Sequence, residues 1–327
     1  QAHGLPDILA RVLAGRGVST ETVADFLDPT IRTAMPDPSV LTDMDRAVER
    51  LAKAVLTGEQ VAIFGDYDVD GATSSAVLAL FLRAAGLDPF LHIPDRIFEG
   101  YGPNAEALRM LAGKGATLLV TLDCGTTSHQ VLGEAAAIGL DVVVCDHHQA
   151  DETLPAVEAV VNPNRQDDLS GLGQLCAAGV TFMLVVALNR HLRGKGHWTT
   201  ARPEPDLMGL LDLVALGTVA DVVPLTGLNR AFVTRGLAMM RRRENAGLRA
   251  LMDVARLDGP PTPYHLGFLL GPRINAGGRI GDAALGLRLL MTEDTLEAGR
   301  IAAELDRLNR ERQVVETGTL EEAEAEA

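Results

Sequence analysis

The first half of the chain alternates short apolar runs with stretches of helical period. Five apolar runs, bounded by glycines and polar residues, predict strands at residues 61–64, 90–93, 117–122, 142–145 and 157–161. Helical spacing predicts helices at residues 44–56, 73–85, 104–114 and 130–138. Because strands separated by helices of this length pair in parallel, the pattern predicts an α/β fold with a parallel sheet flanked by helices.

The pattern changes after about residue 207, where helical stretches dominate. Residues 208–219 and 231–243 predict helices, and the sequence GPRINAGGR at residues 271–279 predicts a Gly-rich loop. A long helix is expected from about Thr292, with Thr292 as its N-cap and acidic residues in its first turn. The predicted organisation is an N-terminal helical extension (1–45), an α/β domain (46–225), a helical segment with the Gly-rich loop (226–291) and a connecting helix (292–327).

Composition limits the classes of protein that remain. Hydrophobic residues make up 47% of the 327 residues, enough for a sizeable core, and the net charge of −15 argues against a general nucleic-acid coat protein. That charge leaves open a local basic groove or a phosphate site neutralised by metal. Three cysteines without paired spacing predict neither a disulfide framework nor a zinc site.

The ends of the chain and its hydropathy bear on location. No signal peptide and no apolar stretch long enough to span a membrane is present, so we expect a cytoplasmic protein without a membrane partner. The chain begins with Gln1 and stops inside a helical pattern, and we therefore expect it to be a fragment of a longer protein.

The run GDYDVDG at residues 65–71 carries the strongest chemical signal. Asp66, Asp68 and Asp70 follow the predicted strand at 61–64, and carboxylates this close repel one another unless a cation lies among them. An EF-hand calcium loop is excluded, because its twelfth position would be Val77 rather than Glu and a strand precedes the run.

Three further acidic motifs fall at the ends of predicted elements. Asp123 and the triplet Asp146-His147-His148 each follow a strand directly, and Asp221 follows a helix. Ligands of parallel sheets bind at the carboxyl ends of the strands, so these side chains are expected to converge. Carboxylate and imidazole ligands without thiolates suit a hard-to-borderline divalent cation, with the histidines favouring manganese over magnesium. The number of ligands suffices for two ions, which would activate a shared water for phosphoryl hydrolysis.

Each motif alone also has an ordinary explanation. A single Asp after a strand is often a turn residue, and a His-His pair is often solvated. Arg273, Asn275 and Arg279 of the Gly-rich segment could donate to a phosphate, or the arginines could form salt bridges in a connector. Arg96 is either part of a phosphate-binding groove or a solvated side chain. Joint placement at the strand ends favours the functional interpretation of the acidic motifs.

Taken together, these motifs resemble the DHH phosphoesterase superfamily. The run at 65–71, the segments at 93–96 and 100–103, Asp123, the triplet at 146–148, Asp221 and the segment at 272–279 are similar to the bacterial RecJ exonuclease family in particular. The resemblance implies a two-metal 5′→3′ exonuclease that hydrolyses single-stranded DNA to 5′ mononucleotides in recombination and repair. It implies two divalent cations, manganese or magnesium, a single-stranded DNA substrate with a 5′ end, and a single-strand-binding protein and a helicase as candidate partners.

The resemblance also assigns roles to individual residues. Asp68 and Asp70 are expected to ligate different metals, Asp123 to bridge them, and His147 and Asp221 to complete the second site. Asp66 is expected to bind metal directly or through water. His148 is expected to contact phosphate or protonate the leaving group, so that Asp123, His148 and Asp70 form the catalytic set. The expected substrate contacts are Arg279, Arg273, Asn275, Arg96 and His148.

The chain departs from the family pattern in two respects. A second domain with its own Gly-rich, His-containing motif and an OB-like domain do not appear, and Gly277-Gly278 stands where at least one Ala is expected. Two alternatives stay open. One is a DHH phosphodiesterase or phosphatase for small substrates such as nanoRNA, cyclic dinucleotides or pyrophosphate. The other is a non-catalytic scaffold that binds single strands.

Overall fold

The computed structural model describes residues 4–326, and a parallel sheet lies at its centre. Within those residues the sheet has five strands, β1 (Val61–Gly65), β2 (Phe90–His92), β3 (Leu118–Leu122), β4 (Asp141–Cys145) and β5 (Ala159–Val161). Their order is β2-β1-β3-β4-β5, and every pairing is parallel. Gly65 lies opposite Leu122, which lies opposite Cys145. The carboxyl ends of β1, β3 and β4 are therefore level, and the predicted fold class is confirmed.

The residues before the sheet form short helices. These include α1 (Asp7–Gly15), α2 (Val23–Leu27), α3 (Ile31–Ala34) and a 3₁₀ turn at Pro38–Val40. Arg165 joins this region to the sheet, because its guanidinium donates to Asp43 and to the carbonyl of Val160 in β5.

Helices cover both faces of the sheet. The elements along the first half are α4 (Met44–Thr57), α5 (Val69–Ala84), α6 (Ala105–Gly113), α7 (His129–Gly133), a 3₁₀ turn at Ala135–Ile138, and α8 (Ala177–Gly194). Ile63 points into the larger apolar cluster, which includes α4, α5 and α8, whereas Phe64 points into the smaller one with α6 and α7. Burial on both faces explains why the strands are continuous apolar runs.

The remainder of the chain is helical, as the sequence predicted. Its elements are a 3₁₀ turn at Leu207–Leu210, α9 (Leu211–Ala220), α10 (Gly227–Met240), α11 (Ala246–Val254), α12 (Pro263–His265), a π-helical turn at Leu266–Leu270, α13 (Gly271–Ile280), α14 (Ala284–Met291) and α15 (Thr295–Glu326). Every helix of the described residues is too short or too polar to cross a membrane.

The prediction of a Gly-rich loop at residues 271–279 was wrong, because this segment forms helix α13. Its glycines serve close packing rather than a turn. A Cβ at Gly278 would lie 2.4 Å from the carbonyl oxygen of Tyr67, and one at Gly277 would lie 3.1 Å from Leu305. Pro272 is tolerated because it occupies the first turn of the helix.

The starts of α5, α9, α10 and α15 also differ from the sequence prediction. Helix α5 begins at Val69 rather than Thr73, because the Asp68 carboxylate caps it by accepting from the N–H of Gly71 at 3.0 Å. Helix α15 begins at Thr295 rather than Thr292, and Asp294 takes the capping role by accepting from the N–H of Leu296. Helix α8 was not predicted, because it is buried on most sides and lacks an amphipathic stripe.

Candidate metal centre

The acidic run after β1 is fixed by its own backbone. Asp66 continues the sheet pairing, with its N–H donating to the carbonyl of Leu122. The chain then turns sharply into α5 and passes so close to itself that a Cβ at Gly71 would lie 2.2 Å from the Asp66 carbonyl oxygen. Only glycine fits there. This turn places Asp66, Asp68 and Asp70 at the carboxyl edge of the sheet.

Asp70 is fully buried and held by a distant helix. Its carboxylate accepts hydrogen bonds from the N–H groups of Ala177, at 2.6 Å, and Ala178, at 2.9 Å. These groups are the free donors at the N-terminus of α8, which also carries the positive end of the helix dipole. The helix thereby keeps the buried Asp70 carboxylate oriented beside the other ionisable side chains of the cluster.

Asp123 and Asp146 follow β3 and β4. Asp123 adopts a left-handed backbone conformation (φ 62°) directly after the strand, and its carboxylate is buried. Asp146 is also buried, and its Oδ1 accepts from the backbone N–H groups of His147 and His148 and lies 2.8 Å from Nδ1 of His148. The Asp146 carboxylate thus fixes the orientation of the His148 ring, and Nε2 is the ring nitrogen that does not contact Asp146.

Two asparagines after β5 donate hydrogen bonds to the backbone carbonyls of the histidine pair. Asn162 donates to the carbonyl of His148 at 2.9 Å and to the hydroxyl of Thr126 at 2.8 Å. Asn164 donates to the carbonyl of His147. The backbone of the triplet is therefore tied to the neighbouring strand end as well as to β4.

Asp221 approaches from the helical half of the chain. It lies at the C-terminus of α9, as predicted, where Gly217 lets the helices pack closely. A Cβ at Gly217 would lie 2.8 Å from both Oδ1 of Asp70 and the Cβ of Ala178. This contact brings α5, α8 and α9 together beneath the acidic cluster.

The side chains converge on Nε2 of His147. This nitrogen lies 3.2 Å from Oδ1 of Asp123 and 3.7 Å from Oδ2 of both Asp70 and Asp221. Oδ1 of Asp123, Oδ2 of Asp221 and Nε2 of His147 are buried and have no hydrogen-bond partner. Buried polar atoms are rarely left unpaired. Three such atoms aimed at one point fit the ligand set of a divalent cation.

Charge accumulation shifts the pKa values of these acids. Burial, and then the neighbouring Asp68, raise the pKa of Asp66 to about 7. Burial together with Asp70 and Asp68 raises the pKa of Asp221 to about 8, and burial and Asp70 raise that of Asp123 well above its ordinary value. A bound cation would reverse these shifts, since it favours the ionised form of each carboxylate.

The His148 and Asp146 pair shows the opposite behaviour. The hydrogen bond to Asp146 raises the pKa of His148 to about 9. Although burial acts in the other direction, the His148 and Thr126 hydrogen bonds hold the pKa of Asp146 below its ordinary value. The negative charge of Asp146 is therefore balanced by the positive charge of His148, whereas the neighbouring acids have no such partner.

All six residues predicted as metal ligands lie in this cluster. Together with His148, they form three overlapping groups whose donor atoms lie within 4.8 Å of one another: Asp66, Asp68 and Asp123; Asp70, His147 and Asp221; and Asp123, His147 and His148. Asp123 and His147 each belong to two of these groups. The ligand roles themselves stay predictions.

Of the predicted phosphate contacts, some are exposed and others are engaged in contacts within the protein. Arg279 is exposed on the last turn of α13, and the Arg96 guanidinium lies 5.2 Å from the centre of the Tyr67 ring. Arg273 is instead engaged by Asp306 at 2.9 Å and by the carbonyl of Leu269. Asn275 accepts from the N–H of Val69 at 3.0 Å. The last two residues therefore hold α13 against α15 and against the start of α5.

Sequence reasoning left out several supporting residues. Asp146 received no role of its own, and Asn162, Asn164 and Tyr101 received none at all. For the asparagines a signal existed, because Asn162 follows β5 directly, as the predicted acids follow β1, β3 and β4. For Tyr101 no comparable signal existed.

Comparison with known proteins agrees with this site. A parallel sheet carrying acids and a His-His pair at its carboxyl edge defines a DHH-type domain, and residues 60–218 match the family described as "DHH family, N-terminal domain". The single-stranded-DNA-specific exonuclease RecJ of Dickeya dadantii is 42% identical over 324 residues, which cover 98% of this chain and 55% of that protein.

Solved structures extend the similarity to the fold. A crystal structure of exonuclease RecJ bound to manganese has a TM-score of 0.78 and 38% identity, and the match covers 88% of this chain and 70% of that one. The RecJ of Thermus thermophilus in complex with Mg²⁺ has a TM-score of 0.69 and 33% identity, covering 95% of this chain and 40% of that one. The chain belongs to the RecJ family, and spans about half the length of the curated relatives it matches.

Proposed function

We propose that this chain forms the catalytic part of a two-metal 5′→3′ exonuclease that hydrolyses single-stranded DNA to 5′ mononucleotides in recombination and repair. The observation that carries the proposal is the convergence of Asp123, Asp221 and His147, whose buried donor atoms lack partners. The similarity to RecJ proteins, one of them bound to manganese and another to magnesium, supports the choice of reaction and metals.

Two divalent cations, manganese with magnesium as the alternative, would be held by the six clustered ligands. Asp66 and Asp68 are grouped with Asp123, whereas Asp70 and Asp221 are grouped with His147. When bound, such ions supply an activated hydroxide and stabilise negative charge on the phosphoryl oxygens.

The protein's own contribution is to orient groups around the phosphate. His148 is the proposed donor to the leaving 3′ oxygen, because Asp146 occupies its Nδ1, the ring is half exposed, and Nε2 does not contact Asp146. Arg279 and Arg96 are the proposed phosphate contacts, since neither forms an ion pair with another of the described residues. Arg273 and Asn275 are proposed to act indirectly, because their contacts with Asp306 and Val69 hold α13, the helix that carries Arg279, in place.

The wider setting of the enzyme is also proposed. Its substrate is single-stranded DNA with a 5′ end, and its location is the cytoplasm. A single-strand-binding protein and a helicase are its proposed partners.

The test is manganese-dependent hydrolysis of a long single strand labelled at its 5′ end. We expect labelled mononucleotide as the first product, and a loss of about 10³-fold or more in rate for Asp123→Ala, which removes the shared ligand. Asp141→Asn is the matched control, because Asp141 lies at the opposite edge of the same sheet. Cleavage of dinucleotides alone would favour the small-substrate enzyme. Strand binding without hydrolysis would favour the scaffold.

A further inference from the structure

Asp221 differs from other acids of the cluster in what holds its side chain. Backbone N–H groups donate to the carboxylates of Asp66 and Asp68, at 2.8 and 3.0 Å, and two further amides donate to Asp70. Oδ2 of Asp221 is buried, has no hydrogen-bond partner among the described residues and lies 3.7 Å from Nε2 of His147. The position of this oxygen therefore depends on the backbone that carries it.

The backbone directly after Asp221 is strained. Val222 adopts a left-handed conformation, with a φ of 61°. Glycine is the usual residue in this conformation at the end of a helix, whereas a β-branched residue there is an outlier. Packing does not explain the valine, because its side chain is 86% exposed. Strained backbone persists where the surrounding structure enforces it, and it clusters at functional sites.

The chain on both sides of Val222 enforces this conformation. Its N–H donates to the carbonyl of Val219 in α9, at 3.2 Å. Two residues further on, the carbonyl of Pro224 accepts at 3.0 Å from the buried side chain of Asn229, which also donates to the carbonyl of Gln174. The segment between Val219 and Pro224 is thus attached at both ends, and Val222 lies between the attachments.

From these observations we propose that Val222 is a positioning residue, which holds the Asp221 carboxylate in the metal centre by restricting the backbone at the end of α9. The proposal rests on the proposed function, in which Asp221 is a metal ligand. The left-handed region is narrow for a residue with a Cβ, and branching at Cβ adds to the restriction. Glycine would accept the same conformation and many others. Valine therefore limits the backbone beside Asp221 before any metal binds.

Asp123 shows a similar combination of features. Its Oδ1 is buried without a hydrogen-bond partner, and its own backbone is left-handed, with a φ of 62°. Asp66, Asp68 and Asp70, whose carboxylates accept hydrogen bonds, all have negative φ, as do the residues that follow them. Left-handed backbone thus occurs at or directly beside the two acids that have an unpaired buried oxygen.

Manganese binding measured without turnover tests the proposal. Electron paramagnetic resonance reports the free ion while the unmodified protein and Val222→Gly are titrated with Mn²⁺. We expect one of the two binding steps to weaken about fivefold in Val222→Gly, because the added backbone freedom of glycine must be lost when Asp221 binds the ion. The other step should be nearly unchanged, since Asp66, Asp68 and Asp123 form a donor group without Asp221.

Two further variants separate positioning from other roles. Val222→Ile keeps a β-branched side chain at an exposed position, so its manganese affinities should match those of the unmodified protein. Arg256→Gly is the matched control, because Arg256 is also left-handed (φ 55°) at the end of a helix, and its N–H donates to the carbonyl of Asp253 at 3.0 Å. Arg256 lies outside the donor groups, so this variant should leave both binding steps unchanged.

Thermal unfolding in chelator separates positioning from a structural role. Without metal, Val222→Gly should unfold at the same temperature as the unmodified protein or at a higher one, because glycine relieves the left-handed strain. A lower unfolding temperature would make Val222 an ordinary structural residue and overturn the proposal.

The failure of this proposal differs from the failure of the proposed function. No manganese binding and no hydrolysis of single strands by the unmodified protein would refute the two-metal exonuclease. If the unmodified protein binds manganese and hydrolyses the strand, equal affinities in Val222→Gly and Arg256→Gly would overturn the role of Val222 alone. Equal losses in Val222→Gly and Val222→Ile would overturn it as well.

Discussion

Carboxylates at the two edges of the central sheet have opposite kinds of neighbour. At the amino edge, Arg50 lies behind the strands with only 7% of its side chain exposed, and it donates to Glu59 and to Asp141, each at 2.7 Å. At the carboxyl edge, Asp70 and Asp123 are buried beside other carboxylates and a histidine. One edge is closed by the protein's own cation, and the other is left for a ligand.

The consequence appears in the ionisation of the acids. Although burial acts against it, the hydrogen bond and charge of Arg50 hold the pKa of Glu59 below its ordinary value. Burial and neighbouring charge raise the pKa of Asp66 to about 7 and that of Asp221 to about 8. Glu59 is thus paired with a cation of the protein itself, whereas Asp66 and Asp221 lie among other carboxylates, a perturbation that is typical of functional sites.

The largest expected effect is a stabilisation by metal that acts only at the carboxyl edge. Manganese at 100 times its Kd should raise the free energy of unfolding by about 2.7 kcal/mol for each site filled, because the ion binds only the folded chain. Thermal unfolding with and without a chelator measures this. Asp123→Ala should abolish most of the shift, and an equal shift in that variant would place the metal elsewhere.

A substitution at the amino edge should lower stability without touching the metal response. Arg50→Met keeps most of the apolar stem and removes the guanidinium, leaving Glu59 partly buried without its cation. We expect a loss of about 2 kcal/mol, less than for a fully buried pair because the Asp141 side chain is half exposed. Denaturant unfolding measures the loss, and the manganese shift of the same variant should match that of the unmodified protein.

The loss in Arg50→Met should also depend on pH. Since the pKa of folded Glu59 is lowered, the ion pair contributes stability above the ordinary carboxyl value of 4.5 and loses it as pH falls through the lowered value. The unmodified protein and the variant should therefore differ most near neutral pH and converge in acid. A constant difference across that range would show that the pair is not the cause.

The smallest expected effect concerns an acid of the carboxyl edge that is already neutralised. Asp146→Asn keeps the shape of the side chain but removes the charge that orients His148, so kcat/KM should fall about tenfold while the manganese shift persists. Asp151→Asn is the matched control, because Asp151 also pairs with a histidine, His129, but belongs to none of the three donor groups. A lost manganese shift in Asp146→Asn would instead make Asp146 part of the metal site.

The local pattern of apolar and polar residues was enough to predict the strands that carry the site. The runs ending at Phe64, Leu122 and Cys145 could be recognised as strands because burial on both faces demands apolar residues throughout. The acids that follow them could be placed together because parallel strands share one edge. Helix α13 was missed because its glycines were taken as signs of a turn. They are needed instead because Tyr67 and Leu305 pack too closely against the helix for a larger residue, and only the fold reveals these contacts.

The sequence by itself determined the sheet, its acidic edge and the pairing of that edge with a histidine motif. The tertiary structure alone decided which atoms are satisfied: Asp70 receives the amide groups of Ala177 and Ala178, more than 100 residues away, while Asp123 receives none on Oδ1. The reason is physical. Strand and helix depend on neighbours a few positions apart, but the hydrogen bonds of a buried carboxylate depend on which remote segment packs against it.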